Sequence, residues 1–250
     1  MRKNYALGEH STNNSEMKAF DFDGYSWPPK DWNGDTSRFI TCLEFLAKGA
    51  FRSVYFAYDS KTDQPLVLKK FTEYHPKEER FWKEDINSSK VAQHFAEKFN
   101  KELLSSKSVR FVEPIIDIFA DGGKGVVNGE TILIEPYLGH DYIKFNSNSG
   151  WQDDESGMTM GALSHFSYHS SGGTRLLCDL QGIKTDNEYI LTDPAICSLS
   201  RSFGLTDLGY EGILSFFKQH KCNPICDPKW IKPKAAPCYI VPKRTTYFRK

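Results

Sequence analysis

Two neighbouring stretches carry the side chains most able to do chemistry. Cys178-Asp179-Leu180-Gln181-Gly182 and Leu191-Thr192-Asp193-Pro194 set two carboxylates and one carboxamide close together in the chain. Oxygen donors suit a hard dication, so Gln181 and Asp193 are candidate ligands for Mg2+. Asp179 stands two residues before Gln181; on an extended stretch its side chain would point the same way. A carboxylate there could take the proton of an attacking hydroxyl. Phosphoryl transfer asks for little more than these parts and a cationic clamp on the phosphates. Lys69, in the apolar run Pro65–Phe71, is a candidate clamp for the α- and β-phosphates. Lys70 competes with it, and only one can enter a cleft because adjacent strand residues face opposite sides. Singly, each part has a plain explanation: strand lysines usually face water, and an Asp before a turn usually caps it. Composition and spacing leave an enzyme and a binding module both open.

A second constellation follows at His220-Lys221-Cys222-Asn223-Pro224-Ile225-Cys226. Its His-x-Cys-x3-Cys spacing offers three ligands at a helix end and the turn after it. A structural zinc takes four, in a tetrahedron. His165 and His169 are the candidates for the fourth, and the apolar context of Ala162, Leu163 and Phe166 favours His165. A lone cysteine or histidine is more often a buried small hydrophobe or a satisfied core residue, but three clustered ligands point to zinc. A closed four-ligand site has no open position, so its role would be structural.

The elements that must position these groups read as follows. Phe39–Leu46, Ser53–Tyr58 and Pro65–Phe71 are rich in β-formers, broken at Lys48-Gly49-Ala50 and at the polar turn Asp59–Gln64; they predict an antiparallel meander. Glu78–Leu104 predicts a helix on Ile86, Val91, Phe95, Phe99 and Leu103. Val112–Phe119 and Thr131–Ile134 predict two more strands, with turns at Asp121-Gly122-Gly123 and Asn128-Gly129. Beyond the connector Glu135–Gly139 the composition changes. Helices are expected over Met158–Tyr168 and Gly209–His220, with Ile213, Phe216 and Phe217 on one face of the latter. A short buried strand is expected over Thr174–Asp179. Gly204-x4-Gly209-x2-Gly212 is not a phosphate-binding Walker loop, because no Gly-Lys-Ser/Thr follows it. There is no internal repeat.

Composition bounds the reading. The chain has 250 residues, 39% of them hydrophobic, and 32 basic side chains balance 32 acidic ones. A zero net charge argues against nucleic acid as a partner. No apolar run approaches the length of a membrane span, so no membrane association is expected. Met1–Ala19 lacks the apolar core of a signal peptide. Six cysteines in such a chain read as reduced thiols, some of them metal ligands, and the expected setting is cytoplasmic. Met1 to about Phe20 is expected to be disordered, and the Pro- and Lys-rich stretch from Pro228 to lie on the surface.

Several motifs occur together in one order. They are Gly49-Ala50-Phe51-Arg52, Phe95-Ala96-Glu97-Lys98-Phe99-Asn100, Glu135-Pro136-Tyr137 and Lys144-Phe145-Asn146-Ser147-Asn148. Asp179-Leu180-Gln181-Gly182, Leu191-Thr192-Asp193-Pro194, Phe203-Gly204 with Leu208-Gly209, and His220-x-Cys222-Asn223-x2-Cys226 follow. From Arg38 to Cys226 the chain resembles the alpha-kinases, the atypical protein kinases that include myosin heavy chain kinase, the elongation-factor kinase and the channel-kinases.

The resemblance implies an α+β, bilobal protein-kinase-like fold: an antiparallel β-rich N-lobe over 35–134, a hinge at 135–139, and a mixed C-lobe with structural zinc over 140–227. Residues 1–34 would be an extended or disordered lead, and 228–250 a basic tail. It further implies a serine/threonine kinase that moves the γ-phosphoryl group of ATP, with Mg2+, to a protein substrate. In that reading Lys69 binds the α/β-phosphates, Arg52 lies near the nucleotide, and Glu135 in the hinge meets the adenine amino group. Lys144 and Asn148 approach the terminal phosphates. Asp179 accepts the proton, Gln181 and Asp193 hold magnesium, and Thr192 neighbours that site. His165, His220, Cys222 and Cys226 hold zinc, and Gly204, Gly209 and Gly212 form a loop near the peptide. The glycine loop departs from the family pattern in having Phe51 where Met is expected. A kinase lysine also needs an acid to hold it; Glu84, Asp85 and Glu97 on the helix are the candidates. The alternative function is a pseudokinase or zinc-stapled interaction module.

Overall fold

The computed structural model describes residues 18–32, 39–49, 51–72, 79–102, 105–119 and 129–244. Residues 1–17, Ala50, Leu103, Leu104 and the turn expected at Asp121–Gly123 lie outside the described residues.

The upper lobe is a five-stranded antiparallel sheet. It contains β1 (Phe39–Lys48), β2 (Arg52–Asp59), β3 (Pro65–Phe71), β5 (Ile115–Ile118) and β6 (Thr131–Pro136), in the order β1-β2-β3-β6-β5. The expected meander is therefore present. β3 is apolar on both faces because both faces are covered. Leu66 and Leu68 pack with Ala57, Ile132 and Ile134 on one side, and Val67 packs with Phe56 and Tyr137 on the other. The period of two then fixes Lys69 on the face of Val67 and Phe71, the face that looks into the cleft. Lys70 turns the other way, to Glu130 at 3.2 Å.

The lower lobe holds α1 (Glu79–Lys101), α2 (Met158–Ser170) and α3 (Gly209–Gln219). Its sheets are a four-stranded one, order β4-β10-β9-β7, and a two-stranded pair of β8 and β11. These strands are β4 (Ser108–Phe111), β7 (Ile143–Lys144), β8 (Arg175–Cys178), β9 (Gln181–Lys184), β10 (Glu188–Thr192) and β11 (Ala195–Ser198). Ala92, Phe95, Ala96 and Phe99 of α1 meet Met160, Leu163 and Phe166 of α2 and Leu177 and Leu191 of the strands in one core. Phe99 is fully buried, and cutting it to alanine would cost about 3–5 kcal/mol.

Four expectations about the fold need correction. The strand expected over Val112–Phe119 starts only at Ile115, as β5, and β4 precedes it where the sequence marks no strand. The chain breaks at Val112–Pro114, where a proline cannot donate to a ladder. β4, before the break, pairs parallel with β10 of the lower sheet, whereas β5 pairs with β6 above. The span 35–134 is thus not one lobe, since β4 and Ala92–Phe99 of α1 belong to the lower core, while Trp82 of α1 packs on Phe71 and Leu133 above. Glu135 is a strand residue of β6 rather than part of a hinge that starts there. The segment after Pro228 is not wholly superficial: Trp230 is 6% exposed and packs on Phe166 and His165.

Candidate active site and cysteine–histidine cluster

A cavity of about 630 Å3 lies between the lobes, within the usual range for small-molecule sites. Val54, Val67, Leu133, Pro136, Tyr137 and Leu138 give its apolar wall; Arg52, Lys69, Glu135, Lys144, Asp179, Gln181 and Asp193 converge at its polar end.

Lys69 is the hub of that end. Its Nζ donates to Glu135 Oε2 at 2.7 Å and to Asp193 Oδ2 at 2.6 Å, with Thr192 Oγ1 at 3.4 Å. Thr192 in turn donates to Glu135. Burial by itself would lower the lysine pKa, but the charges of Asp193 and Glu135 outweigh it and hold the pKa above the ordinary value. Glu135 is held up, chiefly by burial and then by Asp193, with Lys69 pulling the other way. Its side chain is 2% exposed, while that of Asp193 is 42% exposed and opens to the cavity.

The acid that holds Lys69 is therefore on β6, not on the helix. Of the three helix candidates, Asp85 pairs with Arg52, whose guanidinium stacks 3.1 Å from the Phe71 ring centroid. Glu84 Oε2 has no partner among the described residues, and Glu97 is exposed and takes a bond from Gln93. The Glu135 side chain points at the lysine. The β-strand parity that points Lys69 into the cleft does the same for Leu133 and Glu135, through the pairs Lys69↔Leu133 and Val67↔Glu135.

A second ion pair sits opposite. Lys144 Nζ donates to Asp179 Oδ1 at 2.7 Å and to Gln181 Oε1 at 3.3 Å. Burial raises the Asp179 pKa above the usual carboxylate value, opposed by Lys144. Asp179 is not on an extended stretch as expected. It sits at φ 60°, and Asp193 at φ 49°, in the left-handed region where Asp is tolerated but costly. Each follows the last residue of a strand, β8 or β10, so the turn that ends the strand aims the carboxylate at the cavity. Asn146, 1% exposed, locks the first corner: Leu180 N–H donates to its Oδ1 at 2.9 Å. Gly182, at φ 152°, lies so close to β10 that a Cβ would stand 2.1 Å from the Ile190 carbonyl oxygen. Asn146 was visible only as a member of a motif, with no role of its own.

The three glycines expected in one loop are spread over a turn and a helix. Gly204 opens a 3-10 turn, Gly209 starts α3, and Gly212 lies inside it. Gly212 is a packing glycine, since a Cβ there would sit 2.4 Å from Cys197 Sγ and 3.2 Å from Asn148 O. Asn148 lines the cavity and donates to Thr206 O at 2.8 Å, tying that turn to the site. Asp207, which the sequence did not single out, organises the loop. Its carboxylate accepts from Ser198 N and Oγ, Phe203 N and Gly209 N.

His165, His220, Cys222 and Cys226 come together, with their ligand atoms all within 4.8 Å of one another. Cys222 Sγ is 3.5 Å from His165 Nδ1, and Cys226 Sγ is 3.6 Å from His220 Nε2. A tetrahedral zinc bonded at about 2.3 Å to sulfur and about 2.0 Å to nitrogen would hold such pairs about 3.5 Å apart. The second ring nitrogens also have partners. His165 Nε2 lies 3.1 Å from Ile231 O, and His220 Nδ1 lies 3.4 Å from Gln152 Oε1. That arrangement orients an imidazole toward a metal. Burial pushes Cys226 up to about 11 and His220 down to about 4. His169, the other candidate, faces the Ile231 amide instead.

A lysine on the upper sheet held between Glu135 and Asp193, with left-handed Asp179 and Asp193 at the ends of lower strands, makes a kinase-like cleft. The comparisons agree. The Alpha-kinase family profile matches residues 47–226. An alpha-protein kinase, vwkA, of Dictyostelium discoideum is 34% identical over 188 residues, covering 72% of this chain and 29% of that protein. Human eukaryotic elongation factor 2 kinase is 32% identical over 170 residues, covering 67% of this chain and 22% of that protein. Among solved structures, an alpha kinase from Entamoeba histolytica superposes with TM-score 0.67 at 26% identity, over 84% of this chain and 85% of that one. The alpha-kinase domain of myosin heavy chain kinase A in complex with ADP gives TM-score 0.64 at 26% identity, over 74% and 85%.

This chain belongs to the alpha-kinase family. It spans less than a third of those two curated relatives. Among the described residues no helix is long and apolar enough to cross a membrane.

Proposed function

We propose that this chain is an ATP-dependent protein serine/threonine kinase. The observation that carries the reading is the pair of opposed ion pairs, Lys69 with Glu135 and Asp193, and Lys144 with Asp179, at the polar end of one interlobe cavity. The adenine ring lies against the apolar wall, at the strand end and connector Glu135–Leu138. Lys69 and Arg52 neutralise the α- and β-phosphates, and Lys144 and Asn148 steady the γ-phosphate. Gln181 Oε1 and the carboxylate of Asp193 are hard oxygen donors on one side of the cleft and would hold magnesium. Mg2+ bound there supplies charge neutralisation on the phosphate oxygens.

The acceptor hydroxyl oxygen attacks the γ-phosphorus in line, and its proton passes to Asp179. The bond from the γ-phosphorus to the β–γ bridging oxygen breaks, and ADP leaves with that electron pair. A carboxylate whose pKa is raised by burial is a better proton acceptor than an ordinary one. The loop from Ser198 to Gly209, held by Asp207 and Asn148, borders the place where a peptide must lie. The four-donor cluster would hold a structural zinc, which ties the Cys222–Cys226 turn to α2 from within the lower lobe.

Incubation with γ-labelled ATP, Mg2+ and a basic protein tests the reading. Label on serine or threonine, absent with Asp193→Ala, is the expected result. No label with the native chain, despite bound nucleotide, would make it a pseudokinase or interaction module. ATP turnover without protein label would make it a small-molecule kinase. Metal analysis of the purified protein should find one zinc per chain.

A further inference from the structure

Residues 18–32 precede the span that the family profile covers, yet Phe20, Phe22, Trp27 and Trp32 pack against a core cluster. Phe20 is 7% exposed and sits with Leu66, Leu68, Ile132 and Ile134 under the upper sheet. Phe22 and Trp27 touch that cluster and also a second one, formed by Val112, Leu138 and Ile190, which belongs to the connector and the lower sheet. An Asx turn sets this geometry: Asp21 Oδ1 accepts from Asp23 N and Gly24 N at 3.0 and 3.1 Å, reversing the chain between the rings. The ends are fastened to different lobes. Asp21 N–H donates to Gln64 Oε1 in the β2–β3 turn at 2.8 Å. Trp27 Nε1–H donates to Glu113 O at 2.8 Å, and the Arg110 guanidinium of β4 lies 4.3 Å from the Phe22 ring centroid.

The middle is fastened to the connector itself. Phe20 N–H donates to Tyr137 O at 2.8 Å. Gly139, at φ 90°, leaves room for Ala19, whose Cβ would stand 3.1 Å from a Cβ at that position. Tyr137, Leu138 and Gly139 all line the cavity on their other side.

We propose that Phe20, Phe22 and Trp27 form an interlobe strap whose residues position the connector Tyr137–Gly139 for nucleotide binding. They touch no nucleotide; they act through the connector by fixing the spacing of the two lobes behind it. This rests on the cleft being the ATP site. A strap of this kind changes the affinity for nucleotide more than the chemical step, because Asp179, Asp193 and Lys69 stay on their own strands.

The test uses full-length variants Phe20→Ala, Phe20→Leu and Phe22→Ala. Phe20→Ala is expected to raise KM for ATP about tenfold while kcat and KM for the protein substrate stay within about twofold. Phe20→Leu is expected to recover most of the loss. Hydrogen exchange at Tyr137–Gly139 should accelerate in the alanine variants, with α2 unchanged. Unchanged ATP KM and unchanged connector exchange in a folded alanine variant would overturn the proposal. So would losses in kcat, both KM values and thermal stability that move together without rescue by leucine. Where Phe20→Ala does not fold, Phe22→Ala, whose ring is only partly buried, decides on the same criteria. If the native chain transfers no phosphate, the kinase reading falls, and connector exchange still decides the strap.

Discussion

In the cleft, both buried lysines face opposite charges: Lys69 lies between Glu135 and Asp193, and Lys144 beside Asp179. In the cysteine–histidine cluster, burial favours the neutral thiol and the neutral imidazole, and the four donors face one another. The cleft can therefore stand preformed without a ligand, because its ions compensate each other in a low-dielectric setting. The cluster has no such internal compensation, and a bound zinc, as proposed, would supply it. Losing metal should thus unfold, and losing a cleft charge should silence.

The largest effect that would break this contrast comes from the cluster. Cys226→Ser, or chelation of the purified protein, should remove zinc and destabilise the lower lobe by an amount on the order of 10 kcal/mol. Calorimetry with metal analysis checks it; an unchanged transition after complete zinc loss would show that the cluster staples nothing. Next, Asp193→Ala should lower kcat by about 10^3-fold or more, equivalent to about 4 kcal/mol. Its melting temperature should move little, because the Asp193 side chain is 42% exposed.

Glu135→Gln sharpens the comparison further. With one of its two carboxylates gone, Lys69 is held less firmly, and kcat/KM for ATP should fall about tenfold, or about 1.4 kcal/mol. A loss confined to stability would mean that Glu135 only packs. The smallest effect concerns pH. The transfer rate should fall as pH drops through the raised pKa of Asp179, because the protonated carboxyl cannot accept the hydroxyl proton. Lys144 opposes that rise, so Lys144→Gln should move the acid limb of the kcat profile to higher pH. A shift to lower pH would remove Asp179 from the proton-accepting role.

The parts with local causes were legible in the chain. Enrichment in β-formers marked Pro65–Phe71 as a strand, and the opposite facing of adjacent strand residues separated Lys69 from Lys70. Ligand spacing at His220, Cys222 and Cys226, with His165 on an apolar helix, marked a cluster that the fold brings within 4.8 Å. What stayed hidden depends on pairing between distant segments. Glu135 reads as a connector residue until the β3–β6 register turns its carboxylate onto Lys69, 66 residues away.

β4 has no strand signal of its own in the chain, and only its parallel pairing with β10 makes it a strand of the lower lobe. Residues 18–27 read as a loose lead because their apolar side chains are few and lack periodicity; only the groove between two sheets gives them something to bury against. Chemical type and local spacing were enough to mark side chains as candidates for metal and phosphate. Tertiary structure alone decided which charges neutralise each other and which lobe each strand joins. Those outcomes depend on through-space distances and sheet register, which no local pattern encodes.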